Sequence, residues 1–291
     1  MKMKDNVINW LLENDNPAVR YRTLTELLNQ PADISDSKEW ITNKIPENWH
    51  ETNGLWYGYY ITAFTECGLT CDNLPFNYLK KAFEGFNDIF NCGCGDFMLL
   101  RALVKLGCYN NEIVKKTIAK AGEHILPDGG FLCLNRLDKL KYTPKSCYKA
   151  NLHALLLASE CKKKNIECPY INELIQYFKN HNIFYRTDNK DILVLDLRPG
   201  WRTTDIFYPF EVMRIGLQNI VESFSALGFG NDSWMDEAWN LLNLCKDDCG
   251  RVILQGTLTK SYLPKEKVGK PSKWATFYTL LAEKEKDKCR K

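Results

Sequence analysis

The stretches AFTECGLTCDN (63–73), ALVKLGCYNNE (102–112) and FSALGFGNDS (224–233) share one layout. In each, an apolar run ends at a glycine (Gly68, Gly107, Gly228), and Asn or Asp follows within a few residues. Glycine accepts the left-handed backbone that closes a helix, and Asn or Asp caps the next one. The layout predicts a helix that stops and a neighbour that turns back, repeated along the chain.

Working outward, six such pairs can be placed. Val7–Glu13 pairs with Pro17–Leu28, Asp36–Lys44 with Trp56–Cys67, and Pro75–Phe86 with Gly95–Leu106. Asn111–Ile125 pairs with Cys147–Lys162, Pro169–Asn180 with Pro209–Leu227, and Ser233–Cys245 with Ser272–Lys284. The second member of each pair is the more apolar, as in ANLHALLLASEC (150–161), whereas first members such as NNEIVKKTIAKAGEHI (110–125) keep a polar face. A helix apolar all round is buried and one with a charged face is outside. The expected fold is therefore all-α, a single domain over residues 1–291 in which inner and outer helices close into an α/α toroid around a central cavity. The connections 130–144 and 250–271, and DILVLDL (191–197), carry alternating patterns that predict short β-hairpins at one rim.

The chain has 291 residues, a net charge of +3, and 45% hydrophobic residues. Its basic residues are scattered, which argues against a nucleic-acid partner. The apolar runs are too short to span a bilayer. Twelve cysteines without a visible secretory signal predict a reduced, cytoplasmic protein. Eight Trp, 14 Tyr and 14 Phe supply rings for a wide core or a pocket.

PDGGF (127–131), DDCGRV (247–252), GKPSKWATFYTLL (269–281) and GWRTTDIFYPFEVMRIGL (200–217) resemble the squalene cyclase and protein prenyltransferase-like superfamily. That resemblance implies a toroid with a largely apolar cavity and an isoprenoid-like ligand. The repeat tryptophan of that superfamily is Phe131 in one copy and Val252 in another, and its Asp-x-Asp-Asp proton donor is absent from the sequence. A hydrophobic or amphipathic small molecule is the expected partner, and the oligomeric state is left open.

Candidate site residues gather where inner helices begin, because free N–H groups there favour anions. NCGCGD (91–96) places Cys94 and Asp96 at such a start. A cysteine there is a thiolate nucleophile, a metal ligand or a packing residue, with Asp96 as proton donor or helix cap. Zinc through Cys94, Asp96 and His153, which the resemblance suggests, lacks a paired Cys-x-x-Cys, and no cofactor is adopted. Asp205 is the second candidate proton donor, raised by an apolar cavity. Trp56, Tyr59, Trp201, Tyr208 and Trp274 would shape an apolar ligand or stabilise a cation, and Cys147 would line its site. Glu211, Arg214, Gln218 and Glu222 form a polar stripe on one expected helix, with Arg214 and Lys273 anchoring an acidic end. The functional expectation is a cavity enzyme with acid-initiated cyclase or transferase chemistry. The alternatives are a non-catalytic binding protein of the same fold and a structural scaffold.

Overall fold

The computed structural model describes residues 2–142 and 144–288. The chain is mostly helical, with isolated bridges in place of strands. The helices, in chain order, are α1 (Lys2–Leu11), α2 (Pro17–Arg22), α3 (Ser35–Thr42), α4 (Leu55–Glu66), α5 (Phe76–Asp88) and α6 (Cys94–Lys105). They continue with α7 (Glu112–Ala121), the single turn α8 (Leu134–Leu137), α9 (Tyr148–Lys163), α10 (Ile171–Asn180), α11 (Leu217–Ala226), α12 (Asp236–Leu244) and α13 (Lys273–Lys288). A π-helical turn, Thr23–Leu27, prolongs α2. Gly68, Gly107 and Gly228 all carry positive φ, the left-handed closure their sequences predict.

Two compact units divide the chain. One comprises residues 1–49, 63–69 and 195–291, and the other residues 50–62 and 70–194. Within the second unit, α6 packs on α9, and both are buried along nearly their whole length. Their starts meet at Cys94 and Cys147, and further along Arg101 Nη2 donates to Glu160 Oε1 at 3.3 Å, so the two helices run parallel. Around them α10 buries one stripe (Leu174, Ile175, Tyr177, Phe178) and turns a polar face outward. Phe131 sits between Phe97 of α6 and Tyr170, with ring centroids 4.9 and 5.0 Å away.

Within the first unit α11 packs on α13, again parallel: Asn231, just past α11, donates to the Lys286 carbonyl near the far end of α13 at 2.8 Å. Next to α13 lies a buried ionic cluster. Arg22 of α2 forks onto Glu26, donates from Nη1 to Tyr278 Oη at 3.0 Å, and sits 3.6 Å from the Glu66 carboxylate. Tyr278 and Tyr208 both donate to Glu66 Oε2. Arg22 and Glu66 are almost completely excluded from solvent (2% and 0%), so each charge depends on the other groups of the cluster.

One turn occurs twice. In the second unit Leu126 N donates to Gly130 O and Gly129 N to Leu126 O. In the first, Asp247 N donates to Arg251 O and Gly250 N to Asp247 O. Gly129 and Gly250 have φ of 86° and 83°, a geometry that disfavours any side chain. The residue after each turn is then clamped to a buried helix. Phe131 N donates to Asn151 Oδ1 at 2.7 Å, and Phe131 O accepts from Cys147 N at 2.6 Å. Val252 N donates to Thr276 Oγ1 at 2.9 Å, and Val252 O accepts from Ser272 N at 2.8 Å. Cys147 thus corresponds to Ser272, and Asn151 to Thr276.

Two expectations are corrected. The helix expected over 209–227 is confined to Leu217–Ala226. Ahead of it the amides are used elsewhere: Tyr208 N donates to Gly256 O, and Glu211 and Arg214 exchange backbone bonds with each other. Pro209 has no amide to give a helix. Glu211 and Arg214 therefore leave the stripe, and of its four residues Gln218 and Glu222 lie on α11. The expected β-hairpins reduce to single bridges, Lys246 with Val252, Ile253 with Pro271 and Tyr185 with Leu193, while 134–137 is helical. Their backbone groups are spent on the clamps and turns, not on ladders.

Glu66→Ala leaves the Arg22 guanidinium short of a buried partner and is expected to cost about 3–5 kcal/mol in urea denaturation. Asp36→Ala, which breaks the exposed pair with Arg20 (3.8 Å), is expected to leave stability unchanged within error.

Candidate functional site

Three of the sequence-derived candidates come together in the second unit. Cys92 takes a left-handed backbone (φ 53°), Gly93 is extended and caps α6, and Cys94 is the first helical residue. Asp96 reaches back so that its Oδ2 accepts from Gly93 N at 3.0 Å. Leu134 N donates to Asn91 O and brings the neighbouring Cys133 beside this start; a Cβ at Gly93 would lie 3.3 Å from Cys133 Sγ. Cys147 occupies the cap position of α9, placed by the hydrogen bond that its N–H donates to the Phe131 carbonyl.

The two half-buried thiols, Cys94 and Cys147, are hydrogen-bonded. Cys147 is pushed down to about 5, first by the bond from the Cys94 thiol and then by the Ala150 and Lys149 amides and the Lys149 charge, all working against its burial. Cys94 is pushed far above the ordinary thiol value by that same bond and by burial. Burial also raises Cys92, to about 12, and Cys133. Cys94 differs from Cys147 in placement. It lies one residue inside its helix and spends its S–H as a donor, whereas Cys147 sits on the cap, where backbone amides point at its sulfur.

Asp96 is half-buried and its carboxyl is raised, chiefly by burial, with the Gly93 and Asn91 amides opposing. Its geometry is that of a helix cap. Among the described residues no group of three or more His, Cys, Asp and Glu is arranged to hold a metal ion. His153 is buried in the body of α9, away from the cap. In the same unit Trp56 packs edge-on against Tyr59 (5.6 Å) on α4.

The remaining candidates lie in the first unit in smaller groups. Trp274 stacks on Tyr208 at 5.1 Å and 20°. Tyr208 is fully buried, its phenol raised well above the ordinary value by burial and by Glu66, and it belongs to the Arg22 cluster. Trp201 carries two guanidiniums, Arg198 at 4.3 Å and Arg214 at 4.7 Å from its ring centre. Glu211 meets Arg214 through the backbone. Asp205 Oδ2 accepts from Arg202 N at 2.8 Å, closing its own turn. Lys273 does not wait for an acidic ligand, because its ammonium pairs with Glu13 (3.1 Å) and Asp15.

Sequence reasoning passed over Glu66, Arg22, Tyr278 and Cys133. A signal existed for Glu66: it is the one charged residue of LWYGYYITAFTE (55–66), so it needed a buried partner.

No family model matches the chain, and no curated protein matches it. Two chains among solved structures do. One, described as a polysaccharide lyase, is 13% identical over 100% of this chain and 98% of its own, with a TM-score of 0.49. Similarity at that level carries neither fold nor activity across.

Asp96 holds its proton to higher pH in the folded chain than in the unfolded one. The folded state therefore binds more protons, and stability falls as pH rises from the ordinary carboxyl value of 3.8 through the raised one. Asp96→Asn keeps an oxygen for Gly93 N and removes the ionisation. Urea denaturation between about pH 3 and pH 7 is expected to show a flatter pH dependence in the variant, with the two proteins converging at the acid end.

Proposed function

We propose that the protein is an enzyme acting on a hydrophobic or amphipathic small molecule through the Cys147 thiolate. The observation that carries this is the Cys94–Cys147 pair, in which the Cys147 sulfur sits on the cap of a 16-residue helix with the Cys94 thiol beside it and two backbone amides directed at it. In such a reaction the Cys147 sulfur lone pair bonds to an electrophilic carbon of the substrate. The leaving group departs with its electron pair, and Cys94, adjacent and protonated, orients the nucleophile. The group transferred would be acyl or alkyl. An isoprenoid-like chain is the substrate class implied by the superfamily resemblance.

Acid-initiated chemistry is the weaker form of the proposal, since Asp96 and Asp205 each spend a carboxylate oxygen on a local backbone amide. The same observation favours the second reading, a binding protein without turnover. Closure of the helix pairs into an α/α toroid is part of the proposal. It is supported by the parallel inner helices within each unit and by the repeated clamp that ties loops to their starts. A reducing, cytoplasmic setting also belongs to it, because the described cysteines are free thiols.

Alkylation with iodoacetamide, mapped by mass spectrometry, tests the reading. At about pH 6, Cys147 is expected to react ahead of the exposed Cys249, with half-maximal reactivity near pH 5. Cys94→Ala should move that midpoint upward toward the ordinary thiol range. Cys147 reacting no faster than Cys249, or a midpoint unmoved in Cys94→Ala, overturns the thiolate assignment. Reactivity as expected, with no covalent adduct to any thioester or activated alkyl compound tried, points to the binding reading.

A further inference from the structure

The first unit holds a cleft of about 420 Å³ that the reaction proposed above does not use. Its walls include Trp10 of α1, Trp40 of α3, Arg251 beside the second glycine turn, and the segment 264–273 that leads into α13. The volume lies within the range of small-ligand sites. Two half-buried indoles give it flat apolar surface, and five cations line it: Arg251, Lys265, Lys267, Lys270 and Lys273.

The anionic groups near the cleft are largely committed. Glu266 turns inward and accepts from the Ser272 hydroxyl and from Lys273 N (2.7 Å), so its carboxylate closes the start of α13. Asp15 and Glu13 hold the Lys273 ammonium, which is 5% exposed. Asp247 forks onto Arg251. Arg251 and Lys273 also each lie 5.4 Å from the Trp10 ring centre, so that indole is flanked by cations already fixed in place. What is left over is positive. Lys267 and Lys270 are exposed and have no carboxylate within ion-pair distance among the described residues. Two ammonium groups without carboxylate partners thus line the same cleft as two indoles. This arrangement matches a ligand with a flat apolar body and an acidic group.

We infer that this cleft is a binding site for a planar aromatic anion, its ring system against Trp10 and Trp40 and its acidic group between Lys267 and Lys270. The indoles supply area and polarisable faces, and the lysines supply selection for charge. Because backbone amides at the start of α13 are taken by Glu266, the anion is met by side chains alone, so binding should weaken steeply as salt rises.

The probe is 8-anilinonaphthalene-1-sulfonate, a fused aromatic sulfonate, titrated against the full chain and followed by its own fluorescence and by quenching of tryptophan. The control is N-phenyl-1-naphthylamine, the same ring system without the sulfonate. Lys267→Glu/Lys270→Glu changes exposed residues and is expected to fold normally, which circular dichroism checks. The expected result is sulfonate binding weakened about tenfold or more by the double variant and by added salt, with the neutral amine unaffected. Trp40→Leu should weaken both probes. Failure of the sulfonate to bind, binding unchanged in the double variant, or equal loss of both probes in that variant would each overturn the assignment. The alkylation of Cys147 is read in the other unit, so either proposal can fail without the other.

Discussion

The clamp between a loop amide and the start of a buried helix is the interaction on which the rest of the structure turns. Phe131 and Val252 each offer an N–H and a C=O that leave a tight turn with no strand to pair with. Asn151 and Thr276 take the N–H, and the cap amides of Cys147 and Ser272 take the C=O. Burying those backbone groups unpaired would be costly, so loop and helix are fixed against each other as one piece. The glycine that opens each clamp, Gly129 or Gly250, supplies the one backbone geometry that lets the turn close.

This constraint also sets the chemistry. Cys147 and Ser272 hold the same place in their clamps, and each is approached by the amide three residues on. Ser272 satisfies the arrangement with a hydroxyl that donates to Glu266. Cys147 satisfies it with a sulfur that accepts from Cys94. One frame therefore carries a donor at the cap in one unit and an acceptor in the other. The difference comes from what stands opposite: a carboxylate in the first case, a thiol in the second.

Much of the helical framework was legible because its signals are local. Gly68, Gly107 and Gly228 end helices where their neighbours say they should, and the apolar runs of α6 and α9 are buried as their composition demands. The segment before α11 was not legible. Its residues favour a helix, but the amides of Tyr208, Glu211 and Arg214 find partners that no local pattern reveals. The candidate site was half legible. Cys94, Asp96 and Cys147 were singled out and do converge. How the two sulfurs share a proton depends on a contact between helices distant in sequence, which no local pattern reveals. The repeat of the clamp escaped notice because its polar partners differ, Asn in one copy and Thr in the other, and the shared part is main chain.

The parallel course of α6 and α9 has a further consequence. In an antiparallel pair the peptide dipoles cancel; here they add. Each helix contributes roughly half a positive charge at the end where Cys94 and Cys147 meet and the same negative amount at the other. Lys105 and Lys163, in the last turns, sit where they offset the negative ends. The field at the sulfur pair is thus set by the first turns of both helices, whose free amides point at the same place.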